Sequence, residues 1–299
     1  MTERLRVGFA GLGAIGRPIA VHLARRHDLA VWNRTSARAE AFAGEHGARR
    51  VETPRELAQG RDVVFTCLPN TPEVEAVLRG PDGMEAGLSA GAILVDLTSG
   101  IPEGSRAIAA RLGRSGVGFV DAPVSGGTAG AEAGTLTIMV GGKGADVGRV
   151  RPLLEAFGRT IVHVGPVGAG HALKAVHNAL IAVHLCALGE ALTGLARAGV
   201  APRPALEVIN AANGRSFVSE RLVPERVLTR AWPRTFRLAL LDKDVRIACD
   251  MMAGLGLEHP VIGTAGRLLG EARAELGEEA DHVEIIKRHE RLAGLELVG

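Results

Sequence analysis

The sequence predicts an α/β protein in which a doubly wound, mostly parallel sheet is followed by an all-helical domain. In the first half of the 299 residues, short β-branched apolar runs alternate with amphipathic segments. That alternation is typical of βα units assembled into one parallel sheet. After residue 170 the strand-like runs stop and only helical spacing remains. We therefore predict two domains, at 1–165 and 166–299.

The elements of the first domain follow from apolar periodicity. Strands are predicted where short runs rich in Val, Ile, Leu and Phe occur, at 7–10, 30–33, 63–68, 93–97, 119–123, 137–140 and 161–164. Helices are predicted where apolar residues recur every three or four positions, at 17–26, 37–46, 72–78, 105–114 and 145–157. Glycines between these segments supply the turns that connect them.

The second domain is predicted to begin with a long Ala- and Leu-rich helix at 171–195. This helix is apolar on nearly all sides, so we expect it to be buried by its neighbours or by a second subunit. A homodimer or homotetramer is the hypothesis that this motivates. More helices follow, and Asp281, His282 and the charged segment 284–291 are predicted to form an exposed final helix.

Composition excludes several classes of protein. The 35 basic and 33 acidic residues nearly cancel and form no runs, so nucleic acid is not expected as a partner. Three isolated cysteines and the lack of a signal-peptide pattern predict a cytoplasmic protein. The longest apolar run, 179–188, is about half of a membrane span, so no membrane is expected. The ten histidines form no H-E-x-x-H motif, and His171, His177 and His184 lack a carboxylate or cysteine partner at ligand spacing, so no metal is predicted.

A glycine-rich turn follows the first strand and opens the first helix. It reads Gly11-Leu12-Gly13-Ala14-Ile15-Gly16, the G-x-G-x-x-G spacing of dinucleotide-binding Rossmann domains. The first glycine permits the tight turn, the second lets the backbone approach a pyrophosphate, and the third allows the helix to pack closely on the strand. The helix N-terminus supplies N–H groups and a positive dipole to the anion. The sequence therefore predicts that this loop binds a nicotinamide dinucleotide.

The end of the second strand predicts which nicotinamide cofactor binds. An acidic residue there would accept hydrogen bonds from the ribose hydroxyls of NAD(H) and repel a 2′-phosphate. The chain instead has Asn33-Arg34-Thr35, which offers a guanidinium and a hydroxyl to a phosphate. NADP(H) is therefore predicted in preference to NAD(H). The alternative is that Arg34 is only a solvated loop cation.

Several further segments, together with the glycine-rich loop, resemble the β-hydroxyacid dehydrogenase family over nearly the whole chain. That family includes 3-hydroxyisobutyrate dehydrogenases, tartronate semialdehyde reductases and glyoxylate/succinic semialdehyde reductases. The segments that carry the resemblance are Gly8-Phe9-Ala10-Gly11-Leu12-Gly13, Cys67-Leu68-Pro69, Asp96-Leu97-Thr98-Ser99, Asp121-Ala122-Pro123-Val124-Ser125-Gly126-Gly127, Gly134-Thr135-Leu136, 168–178 and Lys243-Asp244.

The resemblance implies roles for residues at the ends of the strands. It implies that Leu68, Pro69 and Thr98 line the cofactor. It also implies that Ser125, Gly126 and Gly127 bind the carboxylate of the substrate. Physical reasoning agrees, because ligands of doubly wound sheets bind at the carboxyl ends of the strands, where a Ser-Gly-Gly turn exposes a hydroxyl and backbone N–H groups. A merely flexible turn is the alternative for the two glycines.

Lys174 corresponds to the catalytic lysine of the family. A lysine is unusual in a helix this apolar, and His177 and Asn178 follow one turn later on its face. The resemblance implies that Lys174 is the general acid/base, that Asn178 holds the lysine or the substrate oxygen, and that Lys243 reaches the cofactor or the substrate. A lysine that extends to solvent is the alternative.

Together these residues predict an NADP-dependent oxidoreductase that transfers a hydride between nicotinamide and a small, carboxylate-bearing 3-hydroxy acid or its semialdehyde. Two other functions stay open: an imine reductase-like NADPH enzyme, which Lys174 argues against, and a non-catalytic NADP-binding interaction module. One residue departs from the family, which commonly has Asn-Asn where this chain has His177-Asn178. His177 is either a bystander or a residue that alters substrate choice or carries protons.

Overall fold

The computed structural model describes residues 5–299, which divide into two compact units, one ending at Lys174 and the other comprising Ala175–Gly299. The first unit contains one nine-stranded sheet. Its strands are β1 (Arg6–Ala10), β2 (Asp28–Trp32), β3 (Arg49–Arg50), β4 (Val63–Thr66), β5 (Ile93–Asp96), β6 (Gly118–Asp121), β7 (Val124–Ser125), β8 (Leu136–Gly142) and β9 (Gly158–Gly165).

The sheet has the order β3-β2-β1-β4-β5-β6-β8-β7, and β9 pairs with β8. Its first six strands are parallel, whereas β8 runs antiparallel to β6 and β7. Every residue of β4 and β5 is buried, as expected for central strands covered by helices on both faces. The doubly wound α/β prediction and its seven strands are confirmed. The two-residue strands β3 and β7 were not predicted.

Seven helices connect these strands: α1 (Gly16–Ala24), α2 (Ser36–His46), α3 (Pro54–Ala58), α4 (Thr71–Leu78), α5 (Pro102–Gly113), α6 (Gly127–Ala133) and α7 (Gly144–Leu154). The five predicted helices are present. The short α3 and α6 were not predicted. Helix α3 begins after Thr53, whose hydroxyl accepts a hydrogen bond from the Glu56 N–H at 3.1 Å, and Pro54 occupies its first turn.

The core of the first unit fixes the sheet beneath the glycine-rich loop. The rings of Phe9 and Phe65 stack at 6.0 Å between centroids, and Phe157 meets Phe65 edge-on at 6.2 Å. All three side chains are fully buried. Because β1, β4, β5 and β6 are parallel, their carboxyl ends lie along one edge of the sheet. The residues that follow these ends are the ones predicted to bind ligands.

The long predicted helix is α8 (Ala169–Arg197). By length and composition alone it could cross a membrane, yet 44% of its most apolar 18-residue stretch is buried inside the protein. Part of the helix stays open, since Leu173 is 42% and Leu180 is 48% exposed. Its buried residues, among them Leu185 and Leu192, pack in the hydrophobic core of the second unit.

The second unit is helical, as predicted. After α8 come α9 (Pro202–Ala211), a π-helix (Val218–Val227), α10 (Leu238–Gly254), α11 (Pro260–Leu276), a 3₁₀ turn (His282–Glu284) and α12 (Ile285–Ala293). Its core includes Leu185, Leu192, Leu241, Val245 and Ile285, all fully buried. Among the described residues of this unit, extended pairing is limited to one isolated bridge between Arg237 and Asp281.

The expected exposed final helix is wrong at its start. Asp281 and His282 are buried, and the Asp281 carboxylate accepts hydrogen bonds from the Thr235 N–H at 2.7 Å and the Phe236 N–H at 2.8 Å. It also accepts one from the Val283 N–H at 3.2 Å, as the cap of the 3₁₀ turn. Asp281 therefore joins the last helix to a segment 45 residues earlier.

Replacing Asp281 by asparagine should lower the free energy of unfolding near pH 7 by about 3 kcal/mol, because buried backbone donors lose a charged acceptor. Burial alone would raise the pKa of Asp281, but His282 and the backbone N–H groups lower it well below its usual 3.8. The carboxylate's contribution is therefore complete above about pH 4 and disappears as pH falls towards the folded-state pKa.

Urea unfolding of both proteins near pH 7 and near pH 3 measures this effect. The difference in free energy of unfolding between wild type and Asp281→Asn should be smaller at the lower pH. Asp250→Asn, on the exposed side of α10, is the matched control and should change little at either pH. Equal stability of Asp281→Asn and wild type near pH 7 would contradict the assignment.

Candidate functional site

The glycine-rich loop has the geometry that its sequence predicts. Gly11 has φ +100°, and a Cβ there would lie 2.2 Å from the Cys67 carbonyl oxygen. A Cβ on Gly16 would lie 2.0 Å from the Gly11 carbonyl oxygen. Neither position can hold a side chain in this conformation. Gly13 differs, because a Cβ there would meet no described atom within 4 Å. The backbone at Gly13 is therefore open to a ligand.

Asn33 braces this loop from the end of β2. Its Oδ1 accepts a hydrogen bond from the Leu12 N–H at 2.9 Å, and its Nδ2 donates to the Thr35 carbonyl oxygen at 3.0 Å. Ala14 is exposed, while Ile15 is half-buried and packs against the core. Asn33 thus shapes the loop through its side chain.

Arg34 lies in the loop after β2 with its side chain 79% exposed, and its Nη1 is 3.2 Å from Glu73 Oε2. Such an exposed pair is weak, so the guanidinium can turn to another anion. Thr35 precedes α2 and makes no side-chain capping bond. Arg38, which the sequence analysis did not single out, is exposed in the first turn of α2. The end of β2 thus carries two guanidinium groups.

A cavity of about 660 Å³ begins at Leu12, Gly13 and Ala14 and continues between α1 and α2, past Arg17 and Arg38, to His46. Only its mouth adjoins the strand ends. Ligands of doubly wound sheets bind across those ends, so the mouth is the part that matches a dinucleotide site. Arg17 and Arg38 line the cavity beyond this mouth.

The ends of β4 and β5 form the next part of the edge. Thr98 is buried, and its Oγ1 accepts a hydrogen bond from the Leu68 N–H at 3.1 Å. Asp96 Oδ1 accepts from the Thr98 N–H at 3.1 Å and from Thr66 Oγ1 at 2.8 Å. Leu68 is half-buried and Pro69 is exposed. The two loops predicted to line the cofactor are therefore joined by hydrogen bonds.

Cys67, beside the glycine-rich loop, is not a nucleophile. Burial, and then the Asp96 carboxylate, raise the pKa of its thiol to about 12. A thiol with so high a pKa carries almost no thiolate at neutral pH. Its short side chain packs close to Gly16, so it acts in packing.

Ser125, Gly126 and Gly127 form a turn between β7 and α6. Ser125 is half-buried, and both glycines are exposed. Gly126 has φ +135° and Gly127 has φ +63°, and a Cβ on Gly127 would meet no described atom within 4 Å. This turn follows β6 by a few residues. It leaves open backbone at Gly127, next to the carboxyl end of β6.

Helix α8 begins at the same sheet edge. The Asp121 carboxylate, at the end of β6, accepts hydrogen bonds from the Gly168 N–H at 2.7 Å and the His171 N–H at 2.9 Å. His171 Nδ1 is 2.6 Å from Ser105 Oγ. One turn further along α8, Lys174 is only 8% exposed. The start of α8 is therefore bound to the end of β6, and its second turn carries a buried lysine.

A second polar cluster surrounds Asn178, one turn after Lys174 on α8. Asn178 Nδ2 donates to Asp244 Oδ2 at 2.5 Å, and both residues are buried. Lys243 Nζ lies 3.1 Å from Asp244 Oδ1. The Asp244 carboxylate therefore bridges the amide and the ammonium. Because the amide nitrogen faces Asp244, the Asn178 carbonyl oxygen is the atom that can accept another hydrogen bond. His177 is half-buried.

The residues at this edge fit a nicotinamide dinucleotide. Gly13 leaves open backbone at the start of a helix, two guanidinium groups lie at the end of β2, and Leu68 offers an apolar surface. These are the groups that a pyrophosphate, a phosphorylated ribose and a base require. The site therefore fits a nicotinamide dinucleotide, the class of cofactor that the glycine-rich loop predicts.

Comparison with protein families supports this conclusion. Residues 6–165 match the family model described as the NAD-binding domain of 6-phosphogluconate dehydrogenase. Residues 168–289 match the model described as the NAD-binding domain of NADP-dependent 3-hydroxyisobutyrate dehydrogenase. The chain belongs to the β-hydroxyacid dehydrogenase family. It is a nicotinamide-dependent oxidoreductase that acts as a 3-hydroxyacid dehydrogenase.

Individual members of the β-hydroxyacid dehydrogenase family are similar over their full length. The 2-(hydroxymethyl)glutarate dehydrogenase of Eubacterium barkeri is 35% identical, with 100% of this chain and 99% of the relative covered. The 2-hydroxy-3-oxopropionate reductase of Escherichia coli strain K12 is also 35% identical, with 98% and 100% covered. The structure of Mycobacterium tuberculosis 3-hydroxyisobutyrate dehydrogenase with L-serine has a TM-score of 0.89 at 28% identity, with 96% and 99% covered.

Three residues of this β-hydroxyacid dehydrogenase were missed or left without a role by the sequence analysis. Arg38 could have been found as a cation one helical turn after the end of β2. Asp121 and Asp244 were quoted only as parts of motifs. Their hydrogen-bond partners lie 47 and 66 residues away along the chain, so no local pattern indicates them.

Proposed function

We propose that the chain is an NADP-dependent oxidoreductase that transfers a hydride between nicotinamide and a small 3-hydroxy acid or its semialdehyde. The observation that carries this proposal is the buried Lys174, held one turn into a helix whose start is hydrogen-bonded to the sheet edge. Only three residues separate Asp121 from the Ser-Gly-Gly turn, so that turn lies near the same edge.

Lys174 acts as the general acid/base. During reduction its ammonium donates a proton to the alkoxide that develops at the substrate carbonyl oxygen, and during oxidation its amine removes the hydroxyl proton. Asn178 lies one turn further along α8, and its carbonyl oxygen accepts from the lysine or from the substrate hydroxyl. The bound nicotinamide supplies or accepts the hydride.

The substrate carboxylate is bound by the turn at Ser125, Gly126 and Gly127. The Ser125 hydroxyl and the backbone N–H groups of the glycines are donors suited to an anion. The open space at Gly127 supports this assignment. Anchoring the carboxylate at one end leaves the carbonyl carbon to be oriented by Lys174. The names of the two similar enzymes describe carboxylate-bearing compounds, which supports the same substrate class.

The preference for NADP(H) rests on Arg34 and Arg38. Arg34→Asp should raise the KM for NADPH by about 10²-fold, because the variant replaces a charge-assisted hydrogen bond by repulsion of the 2′-phosphate. The KM for NADH should change little or fall. Steady-state kinetics with both cofactors measure this. Arg114→Asp, at the exposed end of α5, is the matched control. Equal changes for both cofactors would contradict the preference.

Assembly and location follow from the same residues. We propose a homodimer or homotetramer in which a second copy covers the apolar face of α8 at Leu173 and Leu180. A monomer mass by light scattering across micromolar concentrations would contradict this.

The isolated free thiols of Cys67, Cys186 and Cys249 support a cytoplasmic protein. The buried Lys174 and Asn178 on α8 support a helix that packs in protein rather than in lipid. No nucleic-acid partner is proposed.

The experiment that tests the function follows NADPH oxidation with glyoxylate, succinic semialdehyde, tartronate semialdehyde and methylmalonate semialdehyde. We expect turnover of at least one of these aldehydes, and none of a matched aldehyde that lacks a carboxylate. NADPH binding without turnover of any of them would reject the proposal. In that case cyclic imines should be tried next.

A further inference from the structure

We propose that Asp121 is a positioning residue that sets the distance between the substrate-binding turn and the proton donor. This inference rests on the proposed function of Lys174 and Ser125. Asp121 is the last residue of β6, four positions before Ser125. Its carboxylate also accepts hydrogen bonds from the start of α8, and Lys174 follows three positions after His171, in the next turn. One side chain thus joins both halves of the reaction centre.

The interaction is of a strong kind. Asp121 is 0% exposed, and it accepts the Gly168 N–H at 2.7 Å and the His171 N–H at 2.9 Å. N–H groups in the first turn of a helix have no partner within the helix. A carboxylate that binds two of them forms charge-assisted hydrogen bonds and faces the positive end of the helix dipole. The start of α8 is therefore tied to the end of β6.

The surrounding backbone leaves the carboxylate no room to move. A Cβ on Gly141 would lie 2.6 Å from one oxygen of Asp121 and 2.8 Å from the other. A Cβ on Gly170 would lie 2.4 Å from the Met139 carbonyl oxygen and 2.8 Å from the Asp121 carbonyl oxygen. Glycine at both positions lets β8 and α8 approach the carboxylate directly. Asp121 is enclosed between them.

A second contact fixes the same turn from another direction. His171 is buried, and its Nδ1 lies 2.6 Å from Ser105 Oγ on α5. Its Nε2 is 3.9 Å from Asp96 Oδ2, at the end of β5. The imidazole orients the helix about its axis, while Asp121 fixes the position of the helix start. Because Lys174 follows His171 by about one turn, a shift of this turn displaces the ammonium.

The test compares Asp121→Asn with wild type. The amide keeps the shape of the carboxylate, but its NH₂ group opposes one of the two backbone donors. We expect kcat to fall by about 10²-fold, as a displacement of about 1 Å at a reacting group produces. The KM for NADPH should not change. The deuterium isotope effect on kcat, with NADPH deuterated at the transferred position, should rise because the chemical step slows. Hydrogen exchange should increase at Gly168 and His171.

A second variant keeps the charge of the Asp121 carboxylate but displaces its oxygen atoms. Gly141→Ala places a methyl group against the Asp121 oxygens, so it should reproduce the loss of kcat without changing any titratable group. Asp281→Asn is the matched control, because it also removes a buried carboxylate that accepts backbone N–H groups. Asp281→Asn should lower stability and leave kcat and the isotope effect at wild-type values below its melting range.

The outcomes separate this inference from the proposed function. Faster exchange at Gly168 and His171 with unchanged kcat would overturn the positioning role while leaving the proposed function intact. A similar loss of kcat in Asp281→Asn would also overturn it, since destabilisation alone would then explain the loss. If neither Asp121→Asn nor Gly141→Ala folded, Asp121 would be a residue required for folding, and the positioning role would be overturned as well. Absence of turnover in wild type would reject the proposed function instead.

Discussion

Lys174→Ala should lower kcat for aldehyde reduction by about 10²- to 10⁴-fold, the range that a general acid contributes. Without the ammonium, the developing alkoxide must take its proton from water. The glycine-rich loop is unchanged, so the Kd for NADPH, measured by nicotinamide fluorescence, should stay at its wild-type value. The methyl side chain also leaves space at a residue that is 8% exposed in the wild type, so added methylamine should restore part of the rate.

The control for this variant is Lys143→Ala. Lys143 is an exposed lysine between β8 and α7, so its removal lowers the net charge by the same amount at a residue that is not assigned to the site. Its kcat should match that of wild type. If Lys174→Ala kept most of its kcat, or if it lost kcat and NADPH binding together, Lys174 would not be the proton donor.

The parts of the fold that could be predicted are those set by neighbours in sequence. Buried parallel strands such as β4 and β5 are continuous apolar runs, and α8 is a long run of helix-forming residues. The elements that were missed are short. Strands β3 and β7 have two residues each, and α3 has five. Segments of this length contain fewer than two periods, too few for a pattern to repeat, so their conformation depends on tertiary pairing and on caps such as Thr53.

The candidate site also contains residues that the local sequence predicts and residues that it does not. The geometry of Gly11 and Gly16 follows from a local turn, so the motif was sufficient to predict it. Asp121, Asp244 and Asp281 accept hydrogen bonds from residues more than 40 positions away. Each of them is a buried carboxylate that the chain alone presents as an ordinary charged residue. The prediction that Asp281 is exposed was wrong for this reason, because its partners at 235–236 cannot be recognised before the fold is known.

Asn33 illustrates an intermediate case. Its position at the end of β2 was predicted from the strand pattern, and it was expected to take part in cofactor binding. Its side chain holds Leu12 and Thr35 by hydrogen bonds. Because the loop that it braces begins the dinucleotide site, Asn33 supports binding through the backbone. Its direct contact with the cofactor stays a prediction, as do those of Leu68, Pro69, Thr98 and Lys243.

Gly13→Ala should abolish most cofactor affinity while leaving the free protein folded. Gly13 does not have a positive φ, and a Cβ there would meet no described atom within 4 Å, so alanine is tolerated and unfolding should change by less than about 1 kcal/mol. A methyl group there occupies the space through which a pyrophosphate approaches the backbone. The Kd for NADPH should therefore rise at least about tenfold, which is about 1.4 kcal/mol.

Two other glycines make this prediction specific. Gly44→Ala, in α2 with no described atom within 4 Å of its Cβ, should leave the Kd for NADPH unchanged and raise stability by up to about 1 kcal/mol, because alanine favours a helix. Gly16→Ala places its Cβ 2.0 Å from the Gly11 carbonyl oxygen, so that variant should lose stability as well as affinity. Thermal melts with and without NADPH distinguish the three, because only Gly13→Ala should keep the wild-type melting temperature and lose the increase that the cofactor produces. If NADPH raised the melting temperature of Gly13→Ala as much as that of wild type, the pyrophosphate would not approach this loop. The dinucleotide would then have to bind elsewhere on the sheet edge.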